Sequence, residues 1–244
     1  MASGNPLSAR TALAAVRLER YGLSLAYLVL GSYHAYSLWS GGPGRAVGDG
    51  ALLVGIARQV IQLQLELYVG VLLLLGRRAT VLPRTLKDVV IPLAGTFFNL
   101  TYNVVAWLPP GLKTSLCPVG WQGLCAALGL VLNLIGLSVA IWSAVYLGRS
   151  FGILVEVKQV VTDGAYRWVR HPMYAGYTCL LAGLALANFS IPYFVLVPIH
   201  VFLLVYRGRL EERRLCECSS EYRDYCRRTG FIFPAIRLPG FSGK

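Results

Sequence analysis

The sequence predicts an all-α integral membrane protein with about six membrane helices, of which the last two form a helical hairpin. Two observations lead to this fold class. Hydrophobic residues make up 56% of the 244 residues and charged residues only 14%, whereas about a quarter of the residues in soluble domains are charged. The apolar residues also fall into long stretches. Together these features exclude a disordered chain and disfavour an ordinary soluble domain.

Five apolar stretches reach or approach the length that crosses a bilayer, which is about 20 helical residues. They are residues 21–39, 56–75, 89–108, 121–147 and 173–206. The fifth stretch is too long for one crossing, since a single helix of that length would extend about 50 Å. Polar and helix-breaking residues from Asn188 to Pro192 interrupt it. We therefore expect two helices whose outer ends lie on the same side of the membrane.

The net charge of +12 is explained mainly by membrane topology, because basic residues mark the cytoplasmic side. Placing both termini and the loops at 76–88 and 148–172 in the cytoplasm puts 20 of the 23 basic residues there. Only Arg45, Arg58 and Lys113 are left on the other side. We therefore expect a multi-pass protein with cytoplasmic termini, in the plasma (inner) membrane if the source is bacterial. Its partners would be membrane lipids, and no nucleic acid is expected.

Polar residues inside the apolar stretches are candidate substrate contacts. Glu66 lies near the middle of the second stretch, and a carboxylate at that depth is costly and often functional. Asn103, together with Asn99, has a similar position in the third stretch. Both sets could instead stabilise helix packing or line a polar cavity. We expect residues 1–147 to form a substrate-side scaffold and residues 148–244 to carry the chemistry.

Two predicted cytoplasmic segments hold the residues best suited to chemistry. In the first, Pro172 fits the first position of a helix, so His171 lies near its cap. A helix start attracts anions, and Arg170 adds a guanidinium suited to a carboxylate. In the second, Arg207 and Glu211 lie four residues apart, which is also the spacing of an ordinary helical ion pair. The hairpin would bring the two segments together, unless the first is only a basic juxtamembrane loop.

The six cysteines do not form a disulfide scaffold in a chain of this length. Cys216 and Cys218 form a C-x-C pair that lacks close further ligands for zinc, and we predict no metal site. Cys117 and Cys125 could pair on the outer face. Because Cys125 is expected to lie within a helix, reduced thiols are the expectation throughout.

Three spaced motifs stand in the predicted cytoplasmic segments. They are Gly164-x-Tyr166-x-x-x-Arg170-His171-Pro172-x-Tyr174-x-Gly176, then Arg207-x-x-x-Glu211-Glu212, then Glu221-Tyr222-x-x-Tyr225. This combination resembles the isoprenylcysteine carboxyl methyltransferase superfamily, which includes related bacterial membrane methyltransferases. The resemblance covers roughly residues 145–236. The first 140 residues are similar only in being helical membrane spans.

The resemblance implies S-adenosylmethionine as the methyl donor, a cofactor pocket at the cytoplasmic face and a lipophilic or prenylated substrate that arrives through the membrane. Carried over by position, the cofactor contacts would be Gln159, Val160, Gly164, Tyr166, His171, Tyr174 and Glu212. Arg170, Arg207 and Glu211 would shape the reacting end. We expect substrate contacts from Arg207 and, within the membrane helices, from Glu66 and Asn103.

The sequence therefore favours a membrane methyltransferase that acts most simply on a prenylcysteine-type carboxylate. An ionised carboxylate needs no general base, whereas a thiol would need help to reach the thiolate. Methylation of a phospholipid amine or a small thiol on the same scaffold is the alternative within enzymes. Membrane sterol reductases with a similar C-terminal core use a nicotinamide cofactor instead. A non-catalytic scaffold, whose basic tail contacts anionic lipid, also fits the charge pattern.

Overall fold

The computed structural model describes residues 6–40, 60, 63, 66–77, 79, 81–105, 108–155 and 160–235. Over these ranges the chain is helical and contains no β-strand beyond two isolated bridges, which confirms the all-α prediction. The helices are α1 (Ala9–Arg17), α2 (Ser24–Trp39), α3 (Glu66–Leu75), α4 (Lys87–Phe97), α5 (Leu100–Val104), α6 (Pro110–Lys113), α7 (Gln122–Leu147), α8 (Pro172–Asn188), α9 (Ile191–Cys218) and α10 (Ser220–Arg228).

Two of the described helices are long and apolar enough to cross a membrane. One is Val119–Ser150, which contains α7, and the other is α9. The first of them coincides with the apolar stretch at 121–147, and α9 contains the second half of the stretch at 173–206. The total of about six crossings remains a prediction from the sequence.

The chain divides into two compact units, and the first comprises residues 1–93 and 148–158. In this unit α1 continues through a π-helical turn into α2. The hydroxyl of Ser24 donates to the carbonyl of Gly70 at 2.7 Å, which joins α2 to α3. The buried carboxylate of Glu19 accepts hydrogen bonds from the backbone N–H groups of Ile153 and Leu154. Glu19 thus fixes the start of the loop that follows α7.

The second unit comprises residues 94–147 and 159–244, and its centre is the close contact between α7 and α8. Four glycines form this contact in antiparallel register. A Cβ atom on Gly136 would lie 2.5 Å from the carbonyl oxygen of Gly176, and one on Gly129 would lie 2.7 Å from that of Gly183. No side chain fits in these gaps. Small residues at such positions let the backbones of neighbouring membrane helices touch.

The stretch at 173–206 forms the hairpin that the sequence predicts. The first helix, α8, ends at Asn188, and α9 begins at Ile191. Phe189 turns the chain with a φ of 41°, in the left-handed region, while its N–H still bonds to the carbonyl of Ala185 at 2.8 Å. Pro192 then lies in the first turn of α9, where its missing N–H is tolerated.

The third apolar stretch differs from the continuous segment that its hydropathy suggests. Within it α4 ends at Phe97, and α5 begins only at Leu100. The hydroxyl of Thr101 donates to the carbonyl of Phe98 at 2.6 Å, and the N–H of Thr101 bonds to the same carbonyl at 3.0 Å. Side-chain hydrogen bonds of this kind compete with regular helix. The stretch is therefore two short helices joined by a turn.

A polar aromatic group joins these short helices to α9. The ring of Tyr102 stacks on Tyr193 with centroids 6.0 Å apart, and its hydroxyl lies 3.3 Å from Nδ1 of His200. Nε2 of His200 lies 3.0 Å from the carbonyl oxygen of Gly95. Because a carbonyl only accepts, Nε2 carries the proton and Nδ1 accepts from the Tyr102 hydroxyl. Both nitrogens of His200 are thus satisfied, and His200 has a structural role.

Candidate functional site

The hairpin places the first turn of α8 beside the last turns of α9. A third segment, residues 229–231, returns to the same place after α10. The N–H of Arg170 bonds to the carbonyl of Gly230 at 2.8 Å, and the N–H of His171 bonds to that of Phe231 at 3.0 Å. The N–H of Gly230 bonds to the carbonyl of Trp168 at 3.2 Å. Backbone hydrogen bonds therefore fix residues 229–231 against the segment that ends at His171. Side-chain hydrogen bonds from Arg170 and Tyr174 join the end of α9 to the same place.

His171 lies at the centre of the site, and its residue is only 7% exposed. Its ring stacks on Tyr174, with centroids 5.1 Å apart and planes 2° apart, and it contacts Phe231 at 4.7 Å. Nε2 of His171 is buried and has no hydrogen-bond partner among the described residues. This atom lies 3.4 Å from Oε1 of Glu212, while Nδ1 lies 3.8 Å from Oε2 of Glu211.

Glu212 is held by Arg170, whose Nε donates to Oε1 of Glu212. Nη1 of the same guanidinium donates to the carbonyls of Cys226, at 3.0 Å, and of Thr229. Burial by itself lowers the pKa of Arg170, but the hydrogen bond and negative charge of Glu212 outweigh it, so this pKa is raised. Arg170 therefore stays charged and ties the end of α10 to the carboxylate on α9.

Glu211 belongs to a second polar group on the same helix. Its Oε1 accepts from Nε of Arg207 at 3.0 Å and from the hydroxyl of Tyr174 at 2.7 Å. Nη1 of Arg207 also lies 3.2 Å from the hydroxyl of Thr96, and its guanidinium lies 5.4 Å from the ring centroid of Tyr174. Arg207 is buried, so this contact with a carboxylate is needed to offset the loss of its hydration.

The turn at Gly164–Arg167 forms another wall. Gly164 has a φ of +60°, and a Cβ atom there would lie 2.6 Å from the ring of Tyr146. Tyr166 is buried, and its carbonyl accepts from the hydroxyl of Tyr225 on α10. Burial, followed by the charge of Glu211, raises the pKa of Tyr166. Burial likewise raises the pKa of Tyr225 to about 12. Both phenols are therefore neutral hydrogen-bonding groups at pH 7.

The structure brings together most of the residues that the sequence singles out. The cluster formed by the first turn of α8 and the end of α9 contains Arg170, His171, Tyr174, Arg207, Glu211 and Glu212. Gly164 and Tyr166 lie in the turn that precedes it. Val160 is half-buried in the loop leading to that turn. Gln159 lies outside the described residues.

Glu66 and Asn103 are the two substrate contacts predicted within the apolar stretches of the first 147 residues. Asn103 belongs to α5, but its side chain lies outside the described part of the structure. Glu66 is buried at the start of α3, within the first unit, whereas the cluster belongs to the second. The roles predicted for Glu66 and Asn103 therefore stay predictions.

Sequence reasoning did not find the contributions of Phe231, Thr229 and Thr96. The ring of Phe231 packs against His171. The guanidinium of Arg209 in turn lies 5.3 Å from the centroid of the Phe231 ring. Thr229 offers a carbonyl to Arg170, and Thr96 its hydroxyl to Arg207. The sequence holds a weak indication of Phe231 and Thr229, because Gly230 between them marks a chain reversal after the amphipathic α10. Nothing in the local sequence distinguishes Thr96.

Chemically, the cluster offers a buried ring nitrogen without a hydrogen bond in the described part of the chain, two carboxylates, two guanidinium groups and buried phenols. The start of α8 has no side-chain cap at His171, and the first N–H groups of a helix lack intrahelical partners. Such a set can bind a ligand that carries both an anionic and a cationic group. It lies where α9, a membrane-length helix, changes from apolar to charged sequence.

Comparison with known proteins gives one family and two relatives. The cobalt-zinc-cadmium resistance protein CzcN of Cupriavidus metallidurans is 32% identical over 126 residues, which are 48% of this chain and 55% of the relative. The nickel-cobalt-cadmium resistance protein NccN of Alcaligenes xylosoxydans xylosoxydans is 31% identical over 116 residues, which are 45% and 51% of the two chains. The chain thus spans about half the length of the curated relatives it matches.

The family match falls on the part of the chain that contains the cluster. Residues 121–218 match the family model described as phospholipid methyltransferase. This segment contains α7, α8 and α9, and with them Arg170, His171 and both glutamates. Together with two membrane-length helices, the match indicates a membrane protein. The match supports the broad class of membrane methyltransferases, to which the sequence motifs also point, without favouring isoprenylcysteine carboxyl methyltransferases within it.

Proposed function

We propose that this protein is an integral membrane methyltransferase that uses S-adenosylmethionine and acts on a lipophilic acceptor. The observation that carries the proposal is the buried Nε2 of His171, which has no hydrogen-bond partner within the described residues. Native structures contain few such atoms, and a bound ligand is one physical explanation. The family match over residues 121–218 supplies the class of reaction.

The residues of the cluster fit the groups of S-adenosylmethionine. The uncapped start of α8 and Nε2 of His171 suit a ligand carboxylate, and Glu212 suits an ammonium group. Tyr166 supplies an aromatic ring for the adenine. When bound, this cofactor supplies a sulfonium methyl group that is already activated. The chain therefore has to bind, orient and exclude water, which is the work of positioned side chains and of a closed pocket.

A prenylcysteine-type carboxylate is the simplest acceptor. Arg207 is buried near the reacting end and carries the positive charge that would hold such a group. Its present partner, Glu211, also accepts from the Tyr174 hydroxyl, so Glu211 keeps one hydrogen bond when a substrate carboxylate takes its place at Arg207. The substrate would reach Arg207 along the apolar part of α9.

A phospholipid amine is the second candidate, and two observations favour it. The matching family is described as phospholipid methyltransferase. In addition, the carboxylates of Glu211 and Glu212 would stabilise the positive charge that an amine gains as it is methylated. A small thiol is the weaker alternative, because the cluster would then also have to generate a thiolate.

One pair of measurements on the full chain in detergent tests the proposal. S-adenosylhomocysteine binding is titrated by calorimetry, and transfer of a labelled methyl group is followed to prenylcysteine analogues, phospholipids, fatty acids and thiols. We expect binding in the wild type and a loss of binding in Glu212→Gln. The matched control is Glu217→Gln on the same helix, where the carboxylate is half exposed and lies 3.2 Å from Arg214.

The possible results separate the hypotheses. Binding of S-adenosylhomocysteine together with transfer to one acceptor class supports the proposal and names the acceptor. Binding of a nicotinamide cofactor in its place would favour a reductase. Failure to bind any adenosyl ligand, with the protein folded, would overturn the proposal in favour of a non-catalytic scaffold.

A further inference from the structure

Two pairs of cysteine thiols lie within the second unit, outside the ligand-binding groups of the site. Sγ of Cys117 lies 3.3 Å from Sγ of Cys125, and Sγ of Cys216 lies 4.0 Å from Sγ of Cys226. All four are free thiols. The first pair stands at the start of α7, and the second joins the end of α9 to α10.

The two pairs lie at opposite ends of the same helical bundle. The glycine contacts make α8 antiparallel to α7, and the hairpin makes α9 antiparallel to α8. The start of α7 is therefore close to the turn between α8 and α9, and the N–H of Leu116 indeed bonds to the carbonyl of Phe189 at 2.7 Å. A membrane crossed by α7 and α9 separates the first pair from the second.

The chain around the first pair is held in place. The N–H of Cys117 bonds to the hydroxyl of Ser115 at 3.2 Å, and its carbonyl accepts from the side chain of Gln122 at 3.3 Å. Cys117 is buried, and Cys125 lies in the first turn of α7. The two sulfurs therefore face each other because of an ordered loop, and they need to approach by only about 1.3 Å to reach bonding distance.

We propose that Cys117 and Cys125 form a disulfide in the mature protein, while Cys216 and Cys226 remain thiols. The charge distribution predicts that the α10 end faces the cytoplasm, where thiols are kept reduced. The start of α7 then faces the oxidising compartment, in which disulfides form and persist. This inference depends on that orientation and is independent of the proposed methyl transfer.

The oxidant is a disulfide-containing molecule or protein of that compartment. One cysteine thiolate attacks the disulfide of the oxidant, forms a mixed disulfide and releases one thiol. The thiolate of the second cysteine then attacks the cysteine sulfur of the mixed disulfide and releases the second thiol. Two protein thiols are oxidised, one disulfide is reduced to two thiols, and the protons are carried by the released thiols. The product closes the segment from Cys117 to Cys125 against the helical turn at Phe189.

Differential thiol tagging of the full chain tests the proposal. Cells that express the protein are quenched in acid, the denatured protein is blocked with N-ethylmaleimide, and it is then reduced and labelled with a polyethylene-glycol maleimide. We expect the wild type to gain two tags only after reduction. Cys117→Ser and Cys125→Ser should each lose this pair of tags. Cys216→Ser removes a cysteine of the other pair, and this variant should still gain two tags after reduction.

Each outcome bears on the proposal. A wild type that gains no tag after reduction would overturn it, and so would tags that vanish in Cys216→Ser but persist in Cys117→Ser. Mass spectrometry of the wild-type tryptic peptide 114–149, obtained without reduction and containing only Cys117 and Cys125, gives a second measurement that needs no variant. We expect this peptide to be lighter by two hydrogen atoms than after reduction, and an unchanged mass would contradict the disulfide.

Discussion

The guanidinium of Arg170 and the carboxylate of Glu212 form an ion pair in which the arginine also holds the end of another helix. Its Nη1 donates to the carbonyls of Cys226 and Thr229, so the position of Glu212 depends on the placement of α10. A carboxylate proposed to contact a cofactor is therefore oriented by residues about 15 positions further along the chain.

Arg170→Ala should destabilise the protein, because it leaves Glu212 without its cation and the carbonyls of Cys226 and Thr229 without this donor. We expect the free energy of unfolding to fall by about 3 kcal/mol, and residues 219–235 to become sensitive to protease. Denaturation in detergent and limited proteolysis check this result. The control is Arg227→Ala, whose side chain is 83% exposed and lies 3.5 Å from Asp224. That variant should lose less than about 1 kcal/mol, and equal losses would contradict the role of Arg170.

His171→Phe separates packing from ligand binding. A phenyl ring preserves the stacking on Tyr174 and the contact with Phe231, and it removes the buried Nε2, which has no hydrogen-bond partner among the described residues. We expect thermal stability to be largely retained, since the ring contacts are kept and only the 3.4 Å contact of Nε2 with Oε1 of Glu212 is lost. The dissociation constant for S-adenosylhomocysteine should rise at least about tenfold, which corresponds to about 1.4 kcal/mol. Unchanged binding in a folded variant would remove His171 from the proposed site.

Arg207→Gln distinguishes the two candidate acceptors. If the acceptor is a carboxylate, we expect its rate of methylation to fall by about 30-fold, corresponding to the loss of about 2 kcal/mol from a charged hydrogen bond. Binding of S-adenosylhomocysteine should change less than twofold. An amine acceptor gains nothing from a nearby cation, so a rate that is maintained or increased in Arg207→Gln would identify the amine.

Gly136→Leu should prevent the close approach of α7 and α8, because even a Cβ atom would lie 2.5 Å from a backbone oxygen. We expect the variant to accumulate poorly and to melt at a lower temperature, with an overpacking cost of at least about 2 kcal/mol. Gly123→Ala is the matched control in the same helix, since a Cβ atom there meets nothing within 4 Å. If Gly136→Leu were as stable as the wild type, the close glycine contact between α7 and α8 would not be needed for stability.

The thiol of Cys226 should react slowly at neutral pH. Burial raises the pKa of this thiol to about 11, although the nearby charge of Arg170 acts in the opposite direction. Because only the thiolate reacts, alkylation of the folded protein by iodoacetamide should accelerate as the pH rises toward that value. Peptide mapping compares Cys226 with the exposed Cys218. Faster alkylation of Cys226 than of Cys218 at pH 8 would contradict this expectation.

The sequence predicts those parts of the fold that hydropathy and local breakers control. The bounds of α7 and the turn between α8 and α9 follow from an apolar run and from the residues around Asn188 and Pro192. The break between α4 and α5 could not be read in this way, because the hydrogen bond of Thr101 to Phe98 leaves the hydropathy unchanged. Hydropathy measures transfer to lipid and contains no information on local backbone bonding.

In the candidate site, too, the sequence predicts the residues that follow from local patterns and misses those that depend on long-range contacts. Arg170, His171 and the two glutamates could be named because the hairpin brings their segments together. Phe231 and Thr229 could not, because their contacts are long-range backbone pairings without a local pattern. The glycines of α7 and α8 did leave a signal, since Gly129 and Gly136, like Gly176 and Gly183, are separated by seven residues. That spacing places both members of each pair on one helix face.

The pairing of Gly230 with Val169 and Trp168 determines when the site can be completed during protein synthesis. α8 and α9 both lie between the paired positions, so both helices must have been synthesised before the cover over His171 exists. Until residue 231 has emerged, His171 lacks the contact with Phe231. The proposed ligand-binding capacity would therefore depend on residues that are synthesised after both helices of the hairpin.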